Sequence, residues 1–437
     1  MRSGRQFSAL LAKEIRRLLF NPLVLSITAV MLVVVVLATI RSTGAYKWNL
    51  EQYSALLAPQ EESQVANLGA NAAAEPRPLH ILARGVSEIM SRPVGAMRQL
   101  EAGFNIKYSV GLERRQRELI YALVPDVDPM MVLRLLLSIL ALLFAYNQVC
   151  EERQVGTLRQ MLANPLARRK ILTAKIVAGL VTLAFVVALS FLVMMVTLWA
   201  MDVSVPTGDF WRLGVMMSAT WILGAAFLAV GFVISASVAT SGVSILICLA
   251  VWSLLVIVAP GLTAQIAEAL SPAMPAQQAY MEKLAIERNM KGGEVQRGSA
   301  ERLRELNRRA FEAISSVDQD FLNQVRSQES LAQMLGLISP ATAYESIVTT
   351  YAGTGIAEEH ELLRQLNAHF RMISDYDDIE PVLMRRTTPD KLPEFSYMPL
   401  SAGALIDASV IQWGALAIMT LLLFGIAYYL FNRYDVR

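Results

Sequence analysis

Six stretches of this chain are long and apolar enough to cross a bilayer as helices, and little else constrains the fold as strongly. A hydrocarbon core of about 30 Å takes about 20 apolar residues at helical rise. The runs are 22–40, 130–149, 176–200, 213–235, 244–265 and 408–431, and Arg134 is the single charge inside them. One such run in a soluble protein is an ordinary core helix; six in 437 residues read as membrane spans. Composition agrees. Hydrophobic residues make up 54% and charged residues 17%, against roughly a quarter charged in soluble domains. A disordered chain, a coiled coil and an ordinary soluble enzyme are thereby excluded. With three His and two Cys, little is left for a metal centre. The expected fold is an all-α polytopic membrane protein of six transmembrane helices. A mostly helical extracytoplasmic domain comes from two long loops.

Arg2 and Arg5 precede the first run, as in a secretory signal. The basic region is long and patterned, however, the apolar stretch exceeds a signal core, and no clean small-x-small cleavage site follows. A retained anchor is expected. Orientation then follows from Lys and Arg near the span ends. Segments 1–21, 150–175 and 432–437 carry thirteen basic residues against four acidic, and the remaining chain carries 26 against 33. With six spans these three segments share one side, which is expected to be the cytoplasm, with both termini inside. The chain divides into an elbow helix at 1–21, spans at 22–40, 130–149, 176–200, 213–235, 244–265 and 408–431, and a coupling loop at 150–175. Outer segments occupy 41–129 and 266–407, and a short tail covers 432–437.

The outer segments have helical pattern. Leu303, Leu306, Ala310, Ile314, Val317, Phe321 and Val325 step by three or four through 299–331, an amphipathic helix with Ser299 as its N-cap. Pro340 disfavours helix at Ser339, so that helix is expected to stop near Ile338. A further helix is expected over 358–373. Their chemistry is sparse. His80, His360 and His369 lack ligand spacing, Asp375, Asp377 and Asp378 read as a solvated turn, and Cys150 and Cys248 fall outside any oxidising compartment.

Transport needs a source of free energy. Ion-coupled carriers hold ionisable groups within the membrane, and the centres of these six runs have none. No G-x-x-x-x-G-K-[ST] loop is present either. Gly353-Thr354-Gly355 is too short and lacks the lysine. ATP-driven work would therefore need a separate ATPase. Its place is the basic loop Glu151–Lys170. There Gly156–Ala163 is expected to form a short helix with Leu158, Met161 and Leu162 on one side, stopped by Asn164-Pro165. A second device is the N-terminal stretch. Phe7, Leu10, Leu11, Ile15, Leu18 and Leu19 line up beside Lys13, Arg16 and Arg17, as in a helix lying in the membrane interface. Asn21-Pro22 then turns the chain into the first span. In the fourth run, Gly214, Gly224 and Gly231 would permit close helix packing. In the fifth, Pro260-Gly261 is expected to break the helix near its outer end, a candidate outer gate.

The order KEIRRLLFNP, long outer loop, then LLSILALLFAYNQVCEERQVGTLRQMLANPLARRKILTAKI resembles permease subunits of ABC-2 type transporters. The branch it is most like includes gliding-motility and nitrous-oxide-reductase-maturation permeases. The strongest match is E-x(4)-G-T-L at Glu151, Gly156, Thr157 and Leu158, followed by Asn164, Pro165, Arg168 and Lys175. Further echoes are GLISPATAYESIVTTYAGTG at 336–355 and FNRYDVR at 431–437. Asn147 departs from the aspartate expected before the acidic pair, as Gln154-Val155 does from an acidic residue before Gly156.

The resemblance implies two permease chains, identical or homologous, and two ATPase chains in a bacterial inner membrane. It implies no cofactor on this chain and ATP-Mg on the ATPase. On this view Glu151, Glu152, Gly156, Thr157, Leu158, Leu162, Asn164, Pro165 and Arg168 form the coupling element. Phe7, Leu11, Lys13, Ile15, Arg16 and Arg17 belong to the interfacial elbow. The implied function is export. The rival is a mechanotransmitter that acts on a periplasmic protein while nothing crosses the bilayer. Neither reading calls for nucleic acid, and no acid–base or metal cluster marks a membrane enzyme.

Overall fold

Several of the long helices begin where the sequence supplies a cap or a permitted proline. The computed structural model describes residues 2–57, 74–90, 127–155, 168–291, 300–374 and 395–433. Helix α1 (Arg2–Leu19) ends at Asn21, whose Oδ1 accepts the Leu23 amide at 3.0 Å and so opens α2 (Pro22–Leu57). Pro22 stands at the first helical position, where no N–H is required. Asp128 caps α3 (Pro129–Ala145) in the same way, its Oδ1 accepting the Met131 amide at 2.7 Å. Next come α4 (Arg168–Ala200), α5 (Phe210–Ser237) and α6 (Ser241–Leu270). Outside the spans lie α7 (Ala276–Lys291), α8 (Ala300–Gly336), α9 (Pro340–Ala352) and α10 (Ile356–Ser374). Helix α11 (Ala402–Arg433) completes the set. Six of these, α2, α3 with its continuation to Val155, α4, α5, α6 and α11, are long and apolar enough to cross a membrane. Among the described residues there is no strand.

The six apolar runs all lie within these helices, which extend beyond them. Helix α2 continues past residue 40 to Leu57, and α4 begins at Arg168, ahead of its apolar run. Polar helix simply continues beyond the apolar part. Span two instead breaks early: α3 ends at Ala145, a turn covers 146–149, and a short helix Cys150–Val155 follows. Helix α8 stops at Gly336, two residues before Ile338, and Pro340 starts α9 instead of merely ending its predecessor. The helix expected over 358–373 is α10.

Helix α5 sits at the centre, against α3, α4, α6, α9 and α11, with Leu223, Phe227 and Leu228 fully buried. Helices α6 and α11 are peripheral. Leu246, Leu254, Ile257, Leu421 and Leu422 are exposed there, an apolar surface suited to lipid. Of the three glycines in α5, Gly231 is the one that must be small. A Cβ there would lie 2.7 Å from the Ala145 Cβ. Gly224 makes ordinary contact, and Gly214, contrary to expectation, faces open space. Helices α7 and α8 pair through Ala279 and Phe321, a small core of their own, with Val317 and Val325 of the expected stripe beside it. Helix α8 also packs on the 259–270 part of α6.

Candidate functional site

At the end of the bundle where α1 lies, Leu11, Ile15 and Leu18 pack α1 onto the core, and α1 runs along α4. Glu14 shares that inward face and is therefore buried. Its partner is Lys175 of α4, also buried, with Nζ 3.4 Å from Glu14 Oε1 and 2.7 Å from Glu152 Oε1. The same ammonium donates to Gln148 Oε1 at 3.3 Å. Burying ions is costly unless they pair closely, so these distances hold three segments together: α1, the 146–155 corner and α4. Two carboxylates share the Lys175 ammonium, and Glu14 Oε2 is buried without a hydrogen-bond partner among the described residues.

The corner is anchored on its other sides as well. Ser235 Oγ of α5 accepts the Val149 and Cys150 amides at 3.1 and 3.3 Å, and Ser244 Oγ of α6 donates to the Tyr146 carbonyl at 2.6 Å. Glu151 meets Arg17 at 3.4 Å on the exposed side and accepts from Asn147 Nδ2 at 2.7 Å. That contact explains Asn147: an aspartate there would set two carboxylates against each other. Cys150 and Cys248 are both buried and free.

Of the residues read as coupling elements, Glu151 and Glu152 thus sit in this joint. Gly156, Thr157, Leu158, Leu162, Asn164 and Pro165 lie outside the described residues, as do the 156–163 helix and Asp375, Asp377 and Asp378. Arg168 is the first residue of α4. In the elbow, Leu11 and Ile15 face the bundle, Phe7 is half-buried, and Lys13, Arg16 and Arg17 are exposed. In the sequence Glu14 registers only as a loop charge, and Lys175 as a loop charge and the last residue of the family-like pattern, with no partner assigned to either. Their pattern held a signal: Glu14 falls inside the apolar stripe, three residues after Leu11, and Gln148 and Glu152 are spaced to share one helical face.

The opposite end is built around α9, which wedges between α3, α5 and α11. Tyr344 is fully buried, its hydroxyl within 3.2 Å of Thr220 Oγ1 in α5 and 3.4 Å from Met130 Sδ in α3. Burial raises its pKa, so it stays a neutral phenol. Ser409 of α11 donates to the Tyr351 hydroxyl at 3.2 Å. Gly353 ends α9 at φ +76°, where a left-handed residue is needed. Beyond it Thr354 Oγ1 donates to the Ala83 carbonyl at 2.9 Å, and the Thr354 carbonyl accepts the Val86 amide at 2.9 Å. Gly85 is held so close that a Cβ would lie 2.3 Å from that carbonyl. The GLISP…AGTG stretch is therefore a clamp on residues 78–86. His80 is buried beneath it, and burial together with Arg77 and Arg212 lowers its pKa to about 3. Asp128 is driven up to about 6, mainly by burial, against the Met131 and Arg84 amides that favour its charge. Arg134 does not reach out to water alone: it pairs with Glu345 of α9.

Helix α6 passes through Pro260-Gly261 without the expected break. Residues Ser253–Val258 adopt the wider π-helical turn immediately before them, and the helix resumes as Ala259–Leu270. Widening relieves the clash between a proline ring and the carbonyl four residues back. Between this part of α6 and helices α8, α9, α10 and α11 opens a cleft of about 620 Å³. Thr263, Arg326, Glu345, Gln412 and the His360–Glu329 pair, 2.9 Å apart, are on its walls. Among the described residues, no three or more His, Cys, Asp or Glu are arranged to hold a metal ion.

A topology of six spans, with a charged joint at one end and a helical wedge at the other, can be set against known proteins. The sequence pattern of the ABC-2 family transporter proteins matches residues 8–436. The chain belongs to the ABC-2 transporter family. A Stutzerimonas stutzeri protein named as a probable ABC transporter permease, NosY, is 34% identical over 124 residues. That alignment covers 28% of this chain and 45% of NosY, so the chain matches less than half the length of that relative. As an ABC-2 family transporter, the chain has both the described joint and the wedge within the matched region.

Proposed function

We propose that this ABC-2 family chain is the permease subunit of an ATP-driven exporter in a bacterial inner membrane. A separate ATPase, present in two copies, binds at the α1 end, which faces the cytoplasm. A second permease chain, identical or homologous, completes the pore. This chain binds no cofactor; ATP-Mg resides on the ATPase. The observation that supports the reading best is the buried joint of Glu14, Glu152 and Lys175. It ties the segments before and after residues 156–167 to α1 through Glu152 and Lys175, so a push delivered there enters the spans as one displacement. Charge asymmetry supports the orientation. The cleft beside Pro260 and Gly261 is the candidate exit, with α6 as its movable wall.

Reconstitution with the ATPase tests this. Gly156→Pro or Leu158→Asp should lower the ATPase stimulation given by the permease at least about tenfold while leaving membrane insertion intact; normal stimulation in both removes the loop from the coupling path. In vesicles, ATP-dependent accumulation of cargo supports export. ATP-dependent change at the α9 end without flux would instead establish the mechanotransmitter.

A further inference from the structure

We propose that Ser339 is a positioning residue for α6, its hydroxyl standing in for the backbone donor that Pro260 withholds. In the π-helical register of 253–258 the Ala259 amide bonds to the Leu254 carbonyl. The next bond in that register would run from residue 260 to the Leu255 carbonyl, and proline has no N–H to give. An unpaired carbonyl at membrane depth is strongly disfavoured. Ser339 Oγ supplies the missing donor, at 2.6 Å from the Leu255 oxygen. The same oxygen accepts the Ala341 amide at 3.2 Å and so caps α9. Ser339 is 1% exposed, and no solvent competes for either bond.

One side chain thus repairs two helices 84 positions apart in sequence. Its consequence is mechanical. Helix α6 is peripheral, whereas α9 is sunk among α3, α5 and α11. Residues Pro260, Thr263 and Ala264 form one wall of the cleft, and Thr342, Glu345 and Ser346 of α9 form another. The Ser339–Leu255 bond pins these walls together at their base, so it sets the spacing of the cleft. Pro260 makes the bond necessary, and the π turn makes the carbonyl reachable.

Hydrogen exchange of the protein in nanodiscs tests this through two sets of amides. Ser339→Ala removes both the cap and the donor. Exchange at amides 341–344 should rise with or without Pro260. Exchange at 259–265 should rise about tenfold with Pro260 present, and less than about threefold in the Pro260→Ala background, where a backbone N–H again reaches Leu255. Ser339→Thr should exchange as the wild type at both places. Should Ser339→Ala fail to fold, restoring the backbone donor with Pro260→Ala should recover folding of the double variant, and failure to recover it overturns the proposal. An α6 exchange rate that Ser339 does not change, or changes equally in both backgrounds, overturns the proposal. The inference rests on the transporter reading only for its role in gating. Loss of ATPase stimulation by the wild-type chain would strike that reading and leave the exchange result standing.

Discussion

At the α1 end, Lys175 draws Glu14 and Glu152 from two other segments into one buried cluster, whereas at the α9 end Ser339, Thr354 and Ser409 cross between segments through neutral oxygens. Both arrangements tie sequence-distant parts together. They differ in what happens when a tie is stretched. Separating a buried ion pair leaves an uncompensated charge and costs about 3–5 kcal/mol. A neutral hydroxyl bond is worth about 1 kcal/mol. The buried ammonium at the α1 end therefore resists separation more than the hydroxyl ties do, and the ion pair at the α9 end, Arg134–Glu345, is the more exposed one.

Substitutions can break this contrast, and the largest effect belongs to Lys175. Lys175→Met should lower unfolding stability by about 3–5 kcal/mol, visible as the greatest drop in Tm among these variants in detergent. A Tm equal to wild type would show that the joint is not held by charge. At the other end, Gly85→Ala should cost about 1–3 kcal/mol, because φ is +41° and the new methyl meets the Thr354 carbonyl. Gly231→Val should fall in the same range of about 1–3 kcal/mol by overpacking against Ala145, while Gly214→Ala should be neutral or slightly stabilising.

Acid titration sharpens the comparison further. His80 has a folded pKa below its ordinary 6.5, so its stabilising share is full above that value and is lost as pH falls toward about 3. Asp128 has the opposite sign: its folded pKa of about 6 lies above the ordinary 3.8, so stability falls as pH rises through that window. Partial exposure limits the Asp128 contribution to about 1–2 kcal/mol. Tm measured from pH 4 to 7 should therefore climb more steeply in Asp128→Asn than in wild type, and less steeply in His80→Gln. A small effect, within about 1 kcal/mol, is expected for Glu14→Gln, since Glu14 is the more distant of the two carboxylates on Lys175 and its Oε2 has no hydrogen-bond partner among the described residues. A loss as large as that of Lys175→Met would mean that both carboxylates are needed.

The spans, their number and the outer helices could be read from apolar runs and helical periodicity, because lipid and a solvated amphipathic face each impose a local pattern. The ends of α2 and α4 could not, since polar helix has no apolar signature and tertiary contact sustains it. Lys175 looked like any loop lysine. Charge counting registers sign and position, but not whether an ammonium meets water or two carboxylates. Pro260 looked like a break because proline is judged by its own neighbours, and the donor that rescues it lies beyond α8. Gly85 stood unmarked, and Tyr344 and Thr354 were only letters in a family-like stretch, for the same reason: their roles exist only once distant segments have met.

Helix α2 runs unbroken for 36 residues, about 54 Å at helical rise, against about 30 Å of hydrocarbon. Standing upright, such a helix would extend about 24 Å past the hydrocarbon, with Ser42 and Thr43 buried and Tyr46 packed on the core along the way. A tilt of about 5° in the embedded portion would sweep its free end sideways by about 2 Å. The molecule carries, in effect, a boom that magnifies small rotations within the lipid into displacements that a protein standing off the membrane surface would feel.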